Sequence, residues 1–122
     1  MDTWRWSENY ETKAYMSCEA NGNLALDIGS HVGIWSKRLS KDFSQVICFE
    51  PLPIHIECHK KNCEDLNNVT LYEYALSNIE TDTIMFTKPK NSGMSTIVQE
   101  YTNTGQKPNF NNQNEVIVKT KN

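Results

Sequence analysis

Three short apolar runs, residues 24–28, 46–49 and 69–75, alternate with longer amphipathic stretches. Runs of that length bounded by turn residues read as buried strands, and the stretches between them have helical spacing. The first helix is expected to start near Ser30 as its cap, with Val32, Trp35 and Leu39 turned inward. Pro51 and Pro53 suit the opening turn of the second helix, which is expected to run to Asn67-Asn68. The resulting βαβαβ order is half of a doubly wound α/β fold, a Rossmann-like half-domain with parallel strands in the order 3-2-1 and flanking helices.

The pattern changes after residue 77. Residues 83–87 and 115–120 have strand character and are expected to pair as a C-terminal β-hairpin. Between them, 99–114 is rich in Asn, Gln and Thr without apolar periodicity and reads as a polar loop. Ser92-Gly93-Met94-Ser95 reads as the tip of the hairpin rather than a lid. Residues 1–22, with Trp4, Trp6, Tyr10 and Tyr15, read as a loosely helical lead-in covering the edge of the sheet. The expected organisation is one domain: lead-in, a core over 23–77, then hairpin and loop over 78–122.

The chemistry concentrates in Leu24-Ala25-Leu26-Asp27-Ile28-Gly29-Ser30-His31-Val32-Gly33. A strand ending in an acid, followed by two glycines four apart and then a helix, is the layout of a nucleoside-binding turn. Gly29 permits a sharp turn and close ligand approach, and Gly33 permits close packing behind it. Glu50, which follows the second apolar run, stands 21 positions after Gly29. That is the distance at which doubly wound folds place a ribose-binding carboxylate, and Glu50 is expected to accept from both ribose hydroxyls.

Charge narrows the choice of cofactor. A pyrophosphate favours three glycines and a bare helix N-terminus, whereas this turn carries His31 in the middle glycine position and Asp27 beside it. Carboxylates repel phosphate and attract the sulfonium and ammonium of S-adenosylmethionine. The turn therefore favours that methyl donor over NAD. Asp27 is expected to face the methionine end, and His31 to pack or hydrogen-bond beside it rather than act as a general base.

The run 26–33, then Phe49-Glu50-Pro51-x-Pro53, Asn62, and Val69 through Ala75-Leu76-Ser77 together resemble an FkbM-type methyltransferase, a class I S-adenosylmethionine-dependent enzyme. The resemblance implies methyl transfer, mostly to hydroxyl oxygens, with a small-molecule or glycan acceptor. It implies a donor lying across Asp27, Gly29, Ser30, His31 and Gly33, with its ribose on Glu50 and its adenine flanked by Pro51, Leu52, Ala75 and Leu76. Similar enzymes continue with a further parallel strand beside the first. The chain thus resembles the donor-binding part of such an enzyme, with an incomplete sheet whose open edge is expected to recruit a second copy or a complementing chain. A donor-binding or interaction module without chemistry is the alternative reading, and an NAD-linked half-domain a weaker one. No catalytic base is assigned.

Composition adds bounds. Twelve basic against fifteen acidic residues among 122, net charge −3, leave no nucleic-acid footprint. No apolar run approaches the ~20 residues that span a bilayer, so no membrane partner is expected. Cys18, Cys48, Cys58 and Cys63 are too dispersed for a disulfide scaffold, which points to a reducing cytoplasm. His55, His59 and Cys63 recur at i, i+4 and i+8, and read as a solvated helix face rather than a metal site.

Overall fold

The computed structural model describes residues 10–88, 91–96 and 114–122. The chain divides into two compact units, Met1–Glu73 and Tyr74–Asn122.

The first unit contains helix α1 (Tyr10–Ser17), strand β1 (Gly22–Ile28), helix α2 (Ile34–Asp42), strand β2 (Phe43–Phe49), helix α3 (Pro53–Asn62) and strand β3 (Val69–Tyr72). The strands form a parallel sheet in the order β1-β2-β3, the arrangement expected from the alternating pattern. Register aligns Asp27 with Cys48 and Ile28 with Phe49, which in turn aligns with Tyr72. The ends of all three strands therefore lie in one row. One face of the sheet is the core: Ala25, Val46 and Cys48 are buried, with Leu39, Phe43, Val69 and Leu71 packed around them. On β1 the alternate residues Leu24, Leu26 and Ile28 are 50, 56 and 61% exposed, as the period of two requires once one face is occupied. Among the described residues β1 is an edge strand, paired with β2 alone.

Three boundaries differ from the expectation. Helix α2 begins at Ile34, with Gly33 rather than Ser30 as its cap and no capping side chain. Gly29, His31 and Gly33 all have left-handed backbones, with φ of 76°, 54° and 90°. A helix cannot start through alternating left-handed residues, so 30–33 instead form a turn closed by Gly33 N–H donating to the Ser30 carbonyl at 2.9 Å. Helix α3 ends at Asn62, because Asn68 is held by the end of α2. Its Nδ2 donates to the carbonyls of Ser40 and Phe43, and its own carbonyl accepts Val46 N–H. Strand β3 stops at Tyr72, since Ala75 and Leu76 pair in a different sheet.

Helix α1 falls within the lead-in. Its Tyr15 stands edge-on to Trp35, with ring centroids 5.3 Å apart, and its hydroxyl donates to Asp42 at 2.6 Å. Burial and that carboxylate push the phenol up to about 12. Trp4 and Trp6 lie outside the described residues.

The second unit is a four-stranded sheet in the order β4-β7-β5-β6, built from β4 (Ala75–Leu76), β5 (Thr81–Lys88), β6 (Asn91–Thr96) and β7 (Asn114–Lys121). Strand β5 pairs antiparallel with β7 from Thr81↔Thr120 to Thr87↔Asn114. Strand β4 adds in parallel to β7, and β6 pairs antiparallel with β5. The segment containing Ser92-Gly93-Met94-Ser95 is therefore a strand, not a hairpin tip, because its backbone is taken up by β5. The expected polar loop lies almost entirely outside the described residues. Thr120 fixes the start of the pairing: its buried hydroxyl donates to the Ile79 carbonyl at 2.6 Å and accepts Thr81 N–H.

Among the described residues no helix is long and apolar enough to cross a membrane. No group of three or more His, Cys, Asp or Glu among them could hold a metal ion.

Candidate functional site

The turn after β1 is anchored to the end of β2. The amides of Gly29 and Ser30 both donate to the Phe49 carbonyl, at 2.9 and 3.0 Å. The next amide, of His31, donates to Glu50 Oε2 at 2.8 Å. Of these three successive amides only that of His31 meets an anion, the protein's own carboxylate. With Gly33 N–H committed to Ser30, the amides of Gly29, Ser30, His31 and Gly33 all have protein acceptors. A pyrophosphate would have to displace them against Glu50 and Asp27. Geometry thus reinforces the charge argument against a dinucleotide.

Glu50 is buried and fully engaged on one side. Its Oε1 accepts Leu52 N–H at 3.0 Å and lies 3.2 Å from His55 Nδ1. Burial by itself would raise this carboxyl. The hydrogen bonds from His55 and from the Leu52 and His31 backbones outweigh burial and hold it below its usual range, so it is ionised at neutral pH. An ionised carboxylate only accepts, so Nδ1 of His55 carries the proton. Leu52 and Pro51, next along the chain, are buried, and Leu52 caps α3 in an extended conformation that suits the proline following it.

The two glycines have different surroundings. A Cβ at Gly29 would meet nothing within 4 Å, whereas one at Gly33 would lie 3.0 Å from Cys63 Sγ and from His59 Cδ2. Gly29 borders open space where a ligand could approach. Gly33 instead brings the turn against α3. Asn62 reinforces that contact, its Nδ2 donating to the Val32 carbonyl at 2.7 Å.

Behind the turn lies a buried polar chain. Ser36, with 0% exposure, donates from Oγ to Asp27 Oδ2 at 2.6 Å and sits 2.9 Å from His59 Nε2. Since the hydroxyl has one proton and gives it to Asp27, the imidazole donates to Ser36. The Cys48 thiol also donates to Ser36 Oγ, at 3.2 Å. These are the residue types of a hydrolytic triad in the wrong order: His59 cannot take a proton that Ser36 holds toward Asp27. Burial raises the Asp27 carboxyl, partly opposed by the Ser36 hydrogen bond and helped by Glu50 nearby. Burial lowers His59, and pushes the Cys48 and Cys63 thiols up to about 11 each, so they are packing groups rather than nucleophiles.

The expected solvated face of α3 is its buried face. His55, Ile56, His59 and Cys63 are all buried, and the ring of His55 stands edge-on to that of His31 at 4.1 Å between centroids. The signal lay in the charges: Glu57, Lys60, Lys61 and Glu64 gather on the opposite side of the helix, leaving the histidine stripe its least charged face. His31 is half-buried and lowered by that burial and by His55, so its imidazole is neutral near pH 7. Nothing in the sequence marks Ser36, because a serine in an amphipathic pattern carries no trace of burial.

Asp27, Gly29, Ser30, His31, Gly33, Glu50, Pro51 and Leu52 are thus brought together in the first unit. Ala75 and Leu76, expected beside the adenine, belong to β4 of the second unit. Two buried polar atoms of the cluster, Ser30 Oγ and His55 Nε2, have no hydrogen-bond partner among the described residues.

No family model and no curated protein matches the chain. Solved structures similar to part of it include the following two. The DhpI–SAH complex is 19% identical over 51% of this chain and 29% of that one, with a TM-score of 0.43. The methyltransferase FkbM of Methylobacillus flagellatus KT is 15% identical over 52% of this chain, with a TM-score of 0.42. The chain spans 29% and 19% of the lengths of these two proteins.

Proposed function

We propose that the chain binds S-adenosylmethionine and is the donor-binding part of an FkbM-type methyltransferase. The observation that carries this reading is the ionised Glu50 at the end of β2, tied by His31 N–H to a glycine turn in which the amides of Gly29, Ser30 and Gly33 also have protein acceptors. Such a turn suits a nucleoside without phosphates. The residues fit the donor in three further respects: open space at Gly29, the unpartnered Ser30 hydroxyl, and two carboxylates suited to a cationic ligand.

In this reading Glu50 accepts from the ribose. Asp27, whose Oδ2 is taken by Ser36, offers Oδ1 to the methionine ammonium directly or through water. Gly29 lies near the amino-acid tail, and Pro51 and Leu52 line the base. S-adenosylmethionine supplies a methyl group on a sulfonium, which transfers to an aligned nucleophile. The resemblance favours a hydroxyl of a small molecule or glycan as acceptor.

Calorimetry with S-adenosylhomocysteine and NADH side by side tests the reading. S-adenosylhomocysteine should bind and NADH should not, and Glu50→Gln should weaken binding by about tenfold or more, the scale of a hydrogen bond to a charged group. Equal affinity in Glu50→Gln, or preference for NADH, overturns it. Binding of S-adenosylhomocysteine without methyl transfer by the whole protein would favour a donor-binding module.

A further inference from the structure

Glu50 was expected to take both ribose hydroxyls, one on each oxygen. The hydrogen bonds make that difficult. A carboxylate offers about four lone-pair sites, two on each oxygen. Oε1 already receives Leu52 N–H at 3.0 Å and His55 Nδ1–H at 3.2 Å, while Oε2 receives His31 N–H at 2.8 Å. The side chain of His55 is buried, set in the first turn of α3 behind Pro53, and its ring is braced by that of His31. His31 therefore acts twice, with its amide on Oε2 and its ring against the group that holds Oε1.

We infer that His55 is a positioning and specificity-determining residue: by occupying Oε1 it leaves Glu50 a single open acceptor site, on Oε2, for one hydroxyl of the ligand's ribose. This rests on the donor-binding reading above. A glutamate held only by backbone amides could reach both hydroxyls. With His55 in place, the carboxylate plane is fixed from three directions and one hydroxyl is read.

The test compares S-adenosylhomocysteine with its 2′-deoxy and 3′-deoxy analogues by calorimetry, on the full chain and on His55→Phe and His55→Asn. In the unaltered protein, one deoxy analogue should bind about tenfold or more weakly than S-adenosylhomocysteine and the other within about twofold. In His55→Phe, which keeps the ring volume but removes the donor, both deletions should weaken binding. His55→Asn, whose amide nitrogen can stand where Nδ1 stood, should restore the one-sided pattern. A purely structural role for His55 would weaken all three ligands by the same factor.

A ligand-free measurement accompanies it: carbon NMR of the Glu50 carboxyl should show it titrating at higher pH in His55→Phe than in the unaltered chain or His55→Asn. Equal losses from both deoxy analogues in the unaltered protein, or an unchanged pattern in His55→Phe, overturns the inference. An unchanged carboxyl titration in folded His55→Phe also overturns it. If S-adenosylhomocysteine does not bind at all while the NMR shift appears, the His55–Glu50 coupling stands and the donor reading, with the hydroxyl selection built on it, falls.

Discussion

The backbone N–H of His31 lies 2.8 Å from Oε2 of Glu50, so the carboxylate that ends β2 holds the turn that follows β1. Two segments nineteen residues apart thereby become one site. Removing the acceptor should cost folding energy as well as ligand. In Glu50→Ala the amides of His31 and Leu52 lose a charged acceptor beside a buried cluster, a loss of about 2–4 kcal/mol. Urea denaturation measures it, and a variant as stable as the parent would show that the carboxylate does not hold the turn.

Gly29 and Gly33 should separate binding from stability. Both have positive φ, which costs an alanine roughly 1–2 kcal/mol. Only at Gly33 does the added methyl also meet Cys63 and His59 at 3.0 Å. Gly33→Ala should therefore destabilise the chain more than Gly29→Ala, while Gly29→Ala should weaken S-adenosylhomocysteine binding more for a given loss of stability. Melting curves with calorimetry on both variants check this. The reverse order would move the ligand approach from Gly29 to Gly33.

Ser36→Ala should destabilise without touching ligand. It strips Asp27 Oδ2 and His59 Nε2 of their shared partner, and each buried polar atom left unpaired costs about 1–3 kcal/mol. A loss below 0.5 kcal/mol, on the order expected for a surface serine, would mean the chain of hydrogen bonds adds little to the fold.

Acid should destabilise the fold in two windows. His31 and His59 are lowered in the folded chain, so below the ordinary histidine value of 6.5 the unfolded chain takes up protons that the folded chain refuses. Stability therefore falls as pH drops through 6.5. Glu50 is lowered from 4.5, so its contribution, complete above that value, is lost as pH falls further. Asp27 acts in the opposite sense: raised from 3.8, it favours the folded chain while protonated, and that advantage fades as pH rises above 3.8. Denaturation at pH 7.5, 5.5 and 4 should show falling stability, with the first step smaller in His59→Gln. A profile flat from 7.5 to 5.5 would contradict the buried histidines.

The edge strand β1, with Leu24, Leu26 and Ile28 exposed and no lysine or proline to guard it, should promote association of the chain. Light scattering at increasing concentration should detect it, and Leu26→Lys, a change at an exposed position, should suppress it. A chain that stays monomeric throughout would contradict the expectation.

Much of this organisation was legible along the chain. The apolar runs ending at Ile28 and Phe49 marked strands because they are too short for helices, and the amphipathic stretch between them marked a parallel pair because a parallel neighbour needs a crossover helix. Gly29 and Glu50 were legible because a tight turn and a strand-end acid leave a local trace. The burial of the α3 histidines was not legible. Their spacing was visible, but whether a histidine stripe meets water or another helix depends on what packs there.

The sequence by itself determined the order of elements, the glycine turn and the acidic character of the site, all set by local backbone preference and hydrophobic period. Only the tertiary structure decided that Glu50 takes His31 N–H on one oxygen and His55 on the other, that Ser36 links Asp27 to His59, and that Ala75 and Leu76 join the second sheet. Most of these depend on distances between residues in different elements of the fold. Such distances are fixed only when the crossovers pack α2 and α3 against one face of the sheet and most buried polar atoms find partners.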